Sequence, residues 1–131
     1  MRIDHVAIAV NDLKEAARTY SEALNIQNVE YETVESEGVA IAMIPLENGR
    51  IELMEPIGDA SPIRRFLEKN GPGLHHIALE IDNIDGEVDR MESCGMRFLG
   101  KVRAGSAGTR VIFIHPKSLH GVLAELCSHL K

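Results

Sequence analysis

The sequence predicts an α+β fold: two tandem βαβββ modules forming a curled mixed sheet around a metal-binding cleft. Three observations predict it. The stretch LHHIALEIDN (74–83) nearly repeats IDHVAIAVND (3–12), with His76 in the place of His5 and Ala78 in the place of Ala7. Late in each half the pattern returns, IEL (51–53) against AEL (124–126). The order of strand-like and helix-like segments between these landmarks is the same twice. The offset is 71 residues from His5 to His76 and 73 from Glu52 to Glu125, so one unit has been written twice with small length changes.

The elements follow from periodicity and punctuation. Apolar and alternating runs predict strands near 3–10, 29–35, 38–45 and 50–55. Asn48-Gly49 between the last two is a hairpin signal. Asp12 is placed to cap a helix whose apolar face is Leu13, Ala16, Ala17, Tyr20 and Leu24, spaced by three and four. Ser61-Pro62 opens a short linking helix, PIRRFLEKN, that stops at Gly71. The second half then predicts a strand over 75–82 and a helix near 84–94 with Ile84, Val88 and Met91 on one face, ended by Gly95. Strands near 97–103, 109–115 and 121–127 complete it. The chain is expected to be one domain over residues 1–131, with module one about 1–57, the linker helix about 61–70 and module two about 73–131.

Composition narrows the function. Of 131 residues, 44% are hydrophobic, enough for a packed core. A net charge of −6 argues against a nucleic-acid surface, which needs a basic stripe. Cys94 and Cys127 have no zinc-ribbon or CxxC spacing and read as reduced thiols of a cytoplasmic protein. HVAIAV is too short to span a membrane, so no membrane partner is expected.

The duplication singles out four polar residues. Alternation sets His5 on one strand face with Ala7 and Ala9, and His76 with Ala78 and Glu80, while His75 faces the other way. Glu52 and Glu125 point away from their apolar neighbours. A single strand histidine is usually a satisfied polar residue, but four matched ones in two matched strand pairs point to a shared task. Two imidazoles and two carboxylates suit one divalent ion, Zn, Co, Ni or Mn, and the lack of a thiolate disfavours a structural zinc. His5, Glu52, His76 and Glu125 are therefore the expected metal ligands. His115, His120 and His129 break the repeat and read as loop or surface residues. Arg64-Arg65 reads as a solvated helix face. The glycines mark turns, since no phosphate-binding fingerprint is present.

IDHVAIAV, IELMEP, SPIRRFLEKNGPGLHHIALEIDNID, IHPKS and GVLAEL together resemble the vicinal oxygen chelate superfamily and, within it, the methylmalonyl-CoA epimerase family. The resemblance runs end to end. It implies the same four metal ligands and one divalent ion, Co2+ first, with Mn2+, Ni2+, Zn2+ or Mg2+ the alternatives. It also implies a CoA thioester substrate, a homodimer, and interconversion of (R)- and (S)-methylmalonyl-CoA through a metal-stabilised enolate. Lys117 and Ser118 in HPKS match a family loop near the substrate and are candidate substrate contacts.

One departure stands out. Some epimerases of this type carry a glutamate on the third strand, and counting back from Pro45 places Ala40 there. Glu52 and Glu125 are then the expected pair of acid/base groups as well as ligands, with Glu55 or Glu80 the competing candidates. Lys101, Arg103, Arg110 and Lys117 form the basic pool for CoA phosphates. Three other functions share the fold. A glyoxalase I has the same four-ligand layout. An extradiol dioxygenase uses two histidines and one carboxylate, so Glu52 counts against it. A ligand-sequestering protein can lack the ligands altogether.

Overall fold

The structure is a computed structural model describing residues 1–129. Among these residues there are eight strands and three α-helices: β1 Arg2–Ala9, α1 Leu13–Leu24, β2 Glu30–Val34, β3 Val39–Leu46, β4 Gly49–Pro56, α2 Pro62–Asn70, β5 Gly73–Glu80, α3 Ile84–Ser93, β6 Phe98–Ala104, β7 Thr109–Ile114 and β8 Ala124–His129. The fold is α+β, as expected. The chain divides into two compact units, His5–His75, and Met1–Asp4 together with the residues from His76 onward.

The first unit orders its strands β2-β3-β4-β1, with β1 parallel to β4 and the other pairs antiparallel. Its helix starts where the sequence asks. The Asp12 carboxylate accepts the Glu15 N–H at 3.1 Å, capping α1, and Asn25 ends it in the left-handed region at φ 56°. Ser61 Oγ accepts the Ile63 N–H at 3.3 Å above Pro62, opening α2.

Each side of this sheet carries an apolar cluster. Ala42, Ile44 and Leu53 pack with Leu13 and Ala17 of α1. Ala7, Ala9, Val39, Ile41 and Met54 pack on the opposite side with Ile63, Phe66 and Leu67 of α2. The β3–β4 hairpin forms, but its two turn residues are Glu47 and Asn48. Gly49 already pairs with Leu46 and opens β4 at φ 147°, because the handedness change falls there rather than in the turn.

The second unit repeats the layout as β5-β8-β7-β6, with β5 parallel to β8. Asn83 caps α3 by accepting the Gly86 N–H at 3.2 Å. Ile84, Val88 and Met91 of that helix cover Ile77, Leu79, Ile112, Ile114 and Leu126. The eighth strand begins at Ala124, three residues later than the sequence suggests. A 3-10 turn at Pro116–Leu119 and the left-handed His120 and Gly121 occupy the intervening chain, and neither conformation can join a sheet ladder.

Candidate metal and proton-transfer site

Register fixes which side chains share a face. In the first unit His5 pairs with Arg50, Ala7 with Glu52 and Ala9 with Met54, and β4 in turn sets Glu52 beside Met43 and Met54 beside Ile41. His5, Arg50, Glu52, Met43 and Ile41 therefore stand on one side of the sheet. His5 and Glu52 are both 3% exposed, and His5 Nδ1 lies 3.3 Å from Glu52 Oε2. Arg50 donates to that same oxygen twice, from Nε at 3.0 Å and Nη2 at 2.8 Å.

The second unit builds the matching couple. Ala78 pairs with Glu125 and Phe113 with Glu125, which puts His76, Glu125 and Phe113 on one side. His76 Nε2 lies 3.7 Å from Glu125 Oε2, with both residues buried. The Phe113 ring meets the imidazole edge-on, centroids 5.0 Å apart, and the Arg103 guanidinium lies 5.5 Å over that ring. Ala7 and Ala78, two residues on from the histidines and on the same faces, are fully buried. Each half thus brings one histidine to one glutamate, as the repeat anticipates.

Other expectations are corrected. Ala40 pairs with Glu55 and packs on the α1 side, so it does not share the Glu52 face. The β3 residue on that face next to Met54 is Ile41, buried and apolar. Glu55 is turned the same way as Ala40. Its Oε1 accepts the Leu13 N–H at 2.9 Å, so this carboxylate serves the α1 N-terminus. Glu80 does share the His76 face, but His129 Nε2 lies 3.2 Å from it and Arg2 3.6 Å.

His129 is not in a loop, and its side chain is only partly exposed. It sits on β8, with Nε2 2.7 Å from Oδ1 of the buried Asp4, and this contact spans 125 residues of sequence. His115 Nδ1 accepts the Lys117 N–H at 3.0 Å, and Ser118 Oγ accepts the Arg97 N–H at 3.0 Å, so the HPKS loop is held by its own polar groups. Arg64 reaches back to the carbonyl of Gly58 at 2.8 Å, while Arg65 is exposed. In the basic pool, Arg110 is paired to Asp85 at 3.0 and 3.2 Å, and its guanidinium holds the Asp85 carboxyl below its usual range. His75 meets Phe66 edge-on at 4.9 Å, and burial pushes its imidazole below the usual histidine value.

Arg50 is the residue that the repeat could not supply, because its counterpart two residues before Glu125 is Leu123. The signal was present in GRIEL: a residue two before Glu52 on a strand shares its face.

A buried fold of paired βαβββ units with one His–Glu couple in each defines a class. Residues 4–113 match the model of the Glyoxalase/Bleomycin resistance protein/Dioxygenase superfamily, and the chain belongs to that family. Within it, the chain is 42% identical over 128 residues to the ethylmalonyl-CoA/methylmalonyl-CoA epimerase of Cereibacter sphaeroides, covering 95% of this chain and 96% of that protein. It is 43% identical over 127 residues to the mitochondrial methylmalonyl-CoA epimerase of Homo sapiens, covering 95% of this chain and 72% of that one. Among solved structures, a variant of Streptomyces coelicolor methylmalonyl-CoA epimerase in complex with 2-nitronate-propionyl-CoA superposes with a TM-score of 0.94. That pair shares 34% identity, covering 98% of this chain and 94% of the other. These relatives are isomerases, and they do not favour the glyoxalase alternative.

Proposed function

We propose that the chain interconverts (R)- and (S)-methylmalonyl-CoA. The observation that carries this reading is the buried His–Glu couple at matched positions of each half, in a chain similar over nearly its whole length to methylmalonyl-CoA epimerases. The donor set suits a divalent ion. Two imidazoles and two carboxylates, all buried and with no thiolate among them, match the preferences of Co2+, Mn2+, Ni2+ or Zn2+. His5, Glu52, His76 and Glu125 would hold it. The chemistry such an ion supplies when bound is stabilisation of the negative charge that develops on the thioester as the α-proton leaves.

The chain supplies the rest. The carbon between a thioester and a carboxylate is weakly acidic. Glu52 and Glu125 are the two acid/base groups. One takes the proton from one face, the C–H electron pair passes into the enolate, and the other returns a proton to the opposite face. Ile41 and Met54 add apolar surface on the Glu52 face, which strengthens every charge interaction there by excluding water. Lys117 and Ser118 contact the substrate, the protein works as a homodimer, and its compartment is the cytoplasm. No helix among the described residues is long and apolar enough to cross a membrane.

The test is to incubate the Co2+-loaded protein with (S)-methylmalonyl-CoA in deuterium oxide. Epimerisation with deuterium entering at the α-carbon is expected. Conversion of the methylglyoxal–glutathione adduct, with no deuterium entering methylmalonyl-CoA, overturns the reading in favour of a glyoxalase.

A further inference from the structure

A carboxylate ligand has two equivalent oxygens, and nothing in its covalent structure selects one. Both Arg50 donors converge on Oε2 of Glu52, at 3.0 and 2.8 Å, and His5 Nδ1 is 3.3 Å from that same oxygen. None of these three contacts uses Oε1. The Arg50 side chain is 17% exposed and that of Glu52 4%, so the pair is largely shielded from competing water. Leu123, at the matching place in the second half, has no side-chain donor to do the same for Glu125.

Resting on the four-ligand reading above, we infer that Arg50 is a positioning residue for the metal: it claims Oε2 and thereby turns Oε1 of Glu52 toward the ion. The guanidinium is suited to this. Its planar fork fixes direction as well as charge, whereas an ammonium is a point charge on a flexible stem. Groups that orient a ligand in this way are worth about 10–100-fold in metal affinity. The residue two places before the carboxylate therefore differs between the halves, although the expected ligands themselves are duplicated.

The experiment measures Co2+ affinity by competition with a chelator and records the visible ligand-field spectrum. It compares the natural protein with Arg50→Met, Arg50→Lys, Glu52→Ala and the Arg50→Met/Glu52→Ala pair. Arg50→Met is expected to weaken Co2+ binding about 10–100-fold and to change the spectrum, with Arg50→Lys between it and the natural protein. Glu52→Ala is expected to weaken binding too, and adding Arg50→Met to it is expected to cost nothing more.

If Glu52→Ala weakens binding while Arg50→Met binds like the natural protein, the role of Arg50 is overturned and the ligand set stands. If Glu52→Ala itself binds like the natural protein, the ligand set fails and the inference falls with it. An equal loss from Arg50→Met with or without Glu52 also overturns the inference. Should Arg50→Met not fold, Arg50→Lys carries the test alone, and an affinity and spectrum identical to the natural protein's overturn it.

Discussion

Replacing Glu52 by glutamine would ordinarily be chosen to remove a base and keep a ligand, since an amide oxygen can still coordinate. The surroundings of Glu52 forbid that clean outcome. Arg50 offers two donors, 3.0 and 2.8 Å from Oε2. The amide must turn its oxygen to them, because turning its NH2 there would set donor against donor. Two hydrogen bonds to a charged group, each worth about 1.5–3 kcal/mol, favour the first orientation by about 3–6 kcal/mol. At about 1.4 kcal/mol per tenfold, the reversed amide is populated less than about one time in a hundred.

The NH2 then faces the place where an ion needs a lone pair. Glu52→Gln is therefore expected to bind Co2+ at least about tenfold more weakly than the natural protein, as the loss of an oriented ligand would. Adding Arg50→Met frees the amide to swing its oxygen round, and binding is expected to recover. In that recovered double variant the carboxylate is gone while the metal is present, so epimerisation is expected to fall by about 10²–10⁴-fold. Chelator competition and a coupled epimerisation assay read the two quantities. Tight Co2+ binding by Glu52→Gln alone refutes the argument from Arg50. Near-normal epimerisation by the metal-loaded double variant refutes Glu52 as an acid/base group.

Leu53 is fully buried against α1, so Leu53→Ala is expected to cost about 2–5 kcal/mol in urea unfolding, and a loss under about 1 kcal/mol would show that this layer repacks freely. Asp12→Ala removes the α1 cap and is expected to cost about 1 kcal/mol by the same assay. Burial holds the His75 imidazole below its ordinary value of 6.5, so the unfolded chain takes up that proton first and stability falls as pH drops below about 6.5. His75→Gln is expected to flatten this part of the urea-midpoint profile of the metal-free protein; an unchanged slope would assign it to other groups.

The two His–Glu couples are legible in the sequence because a polar residue on an apolar strand marks its own face. His5, Glu52, His76 and Glu125 each carry that mark, and the repeat aligns them. GVAIAMIP carries none. Both sides of β3 are buried, one against α1 and one beside α2, so the run is apolar throughout and its parity is silent. That is why counting back from Pro45 leads to Ala40, whereas the ladder puts Ile41 on the Glu52 face. The Asp4–His129 contact is illegible for another reason: it joins two ends of the chain, and no local pattern encodes it. The hairpin is legible as a hairpin but not to the residue, since Gly49 takes the unusual φ from inside the strand.

Duplication hands a chain two copies of each working part, and in a fresh copy either could stand in for the other. The guanidinium at residue 50 and the isobutyl group at residue 123 end that equivalence. A chimera made of two first halves would carry the arginine at both places, and one made of two second halves a leucine at both. Selection then acts on the two glutamates separately: a change tolerated beside Glu125 is judged at Glu52 by whether the guanidinium accepts it. At this position the halves no longer match, and a copy of one would not restore the other residue for residue.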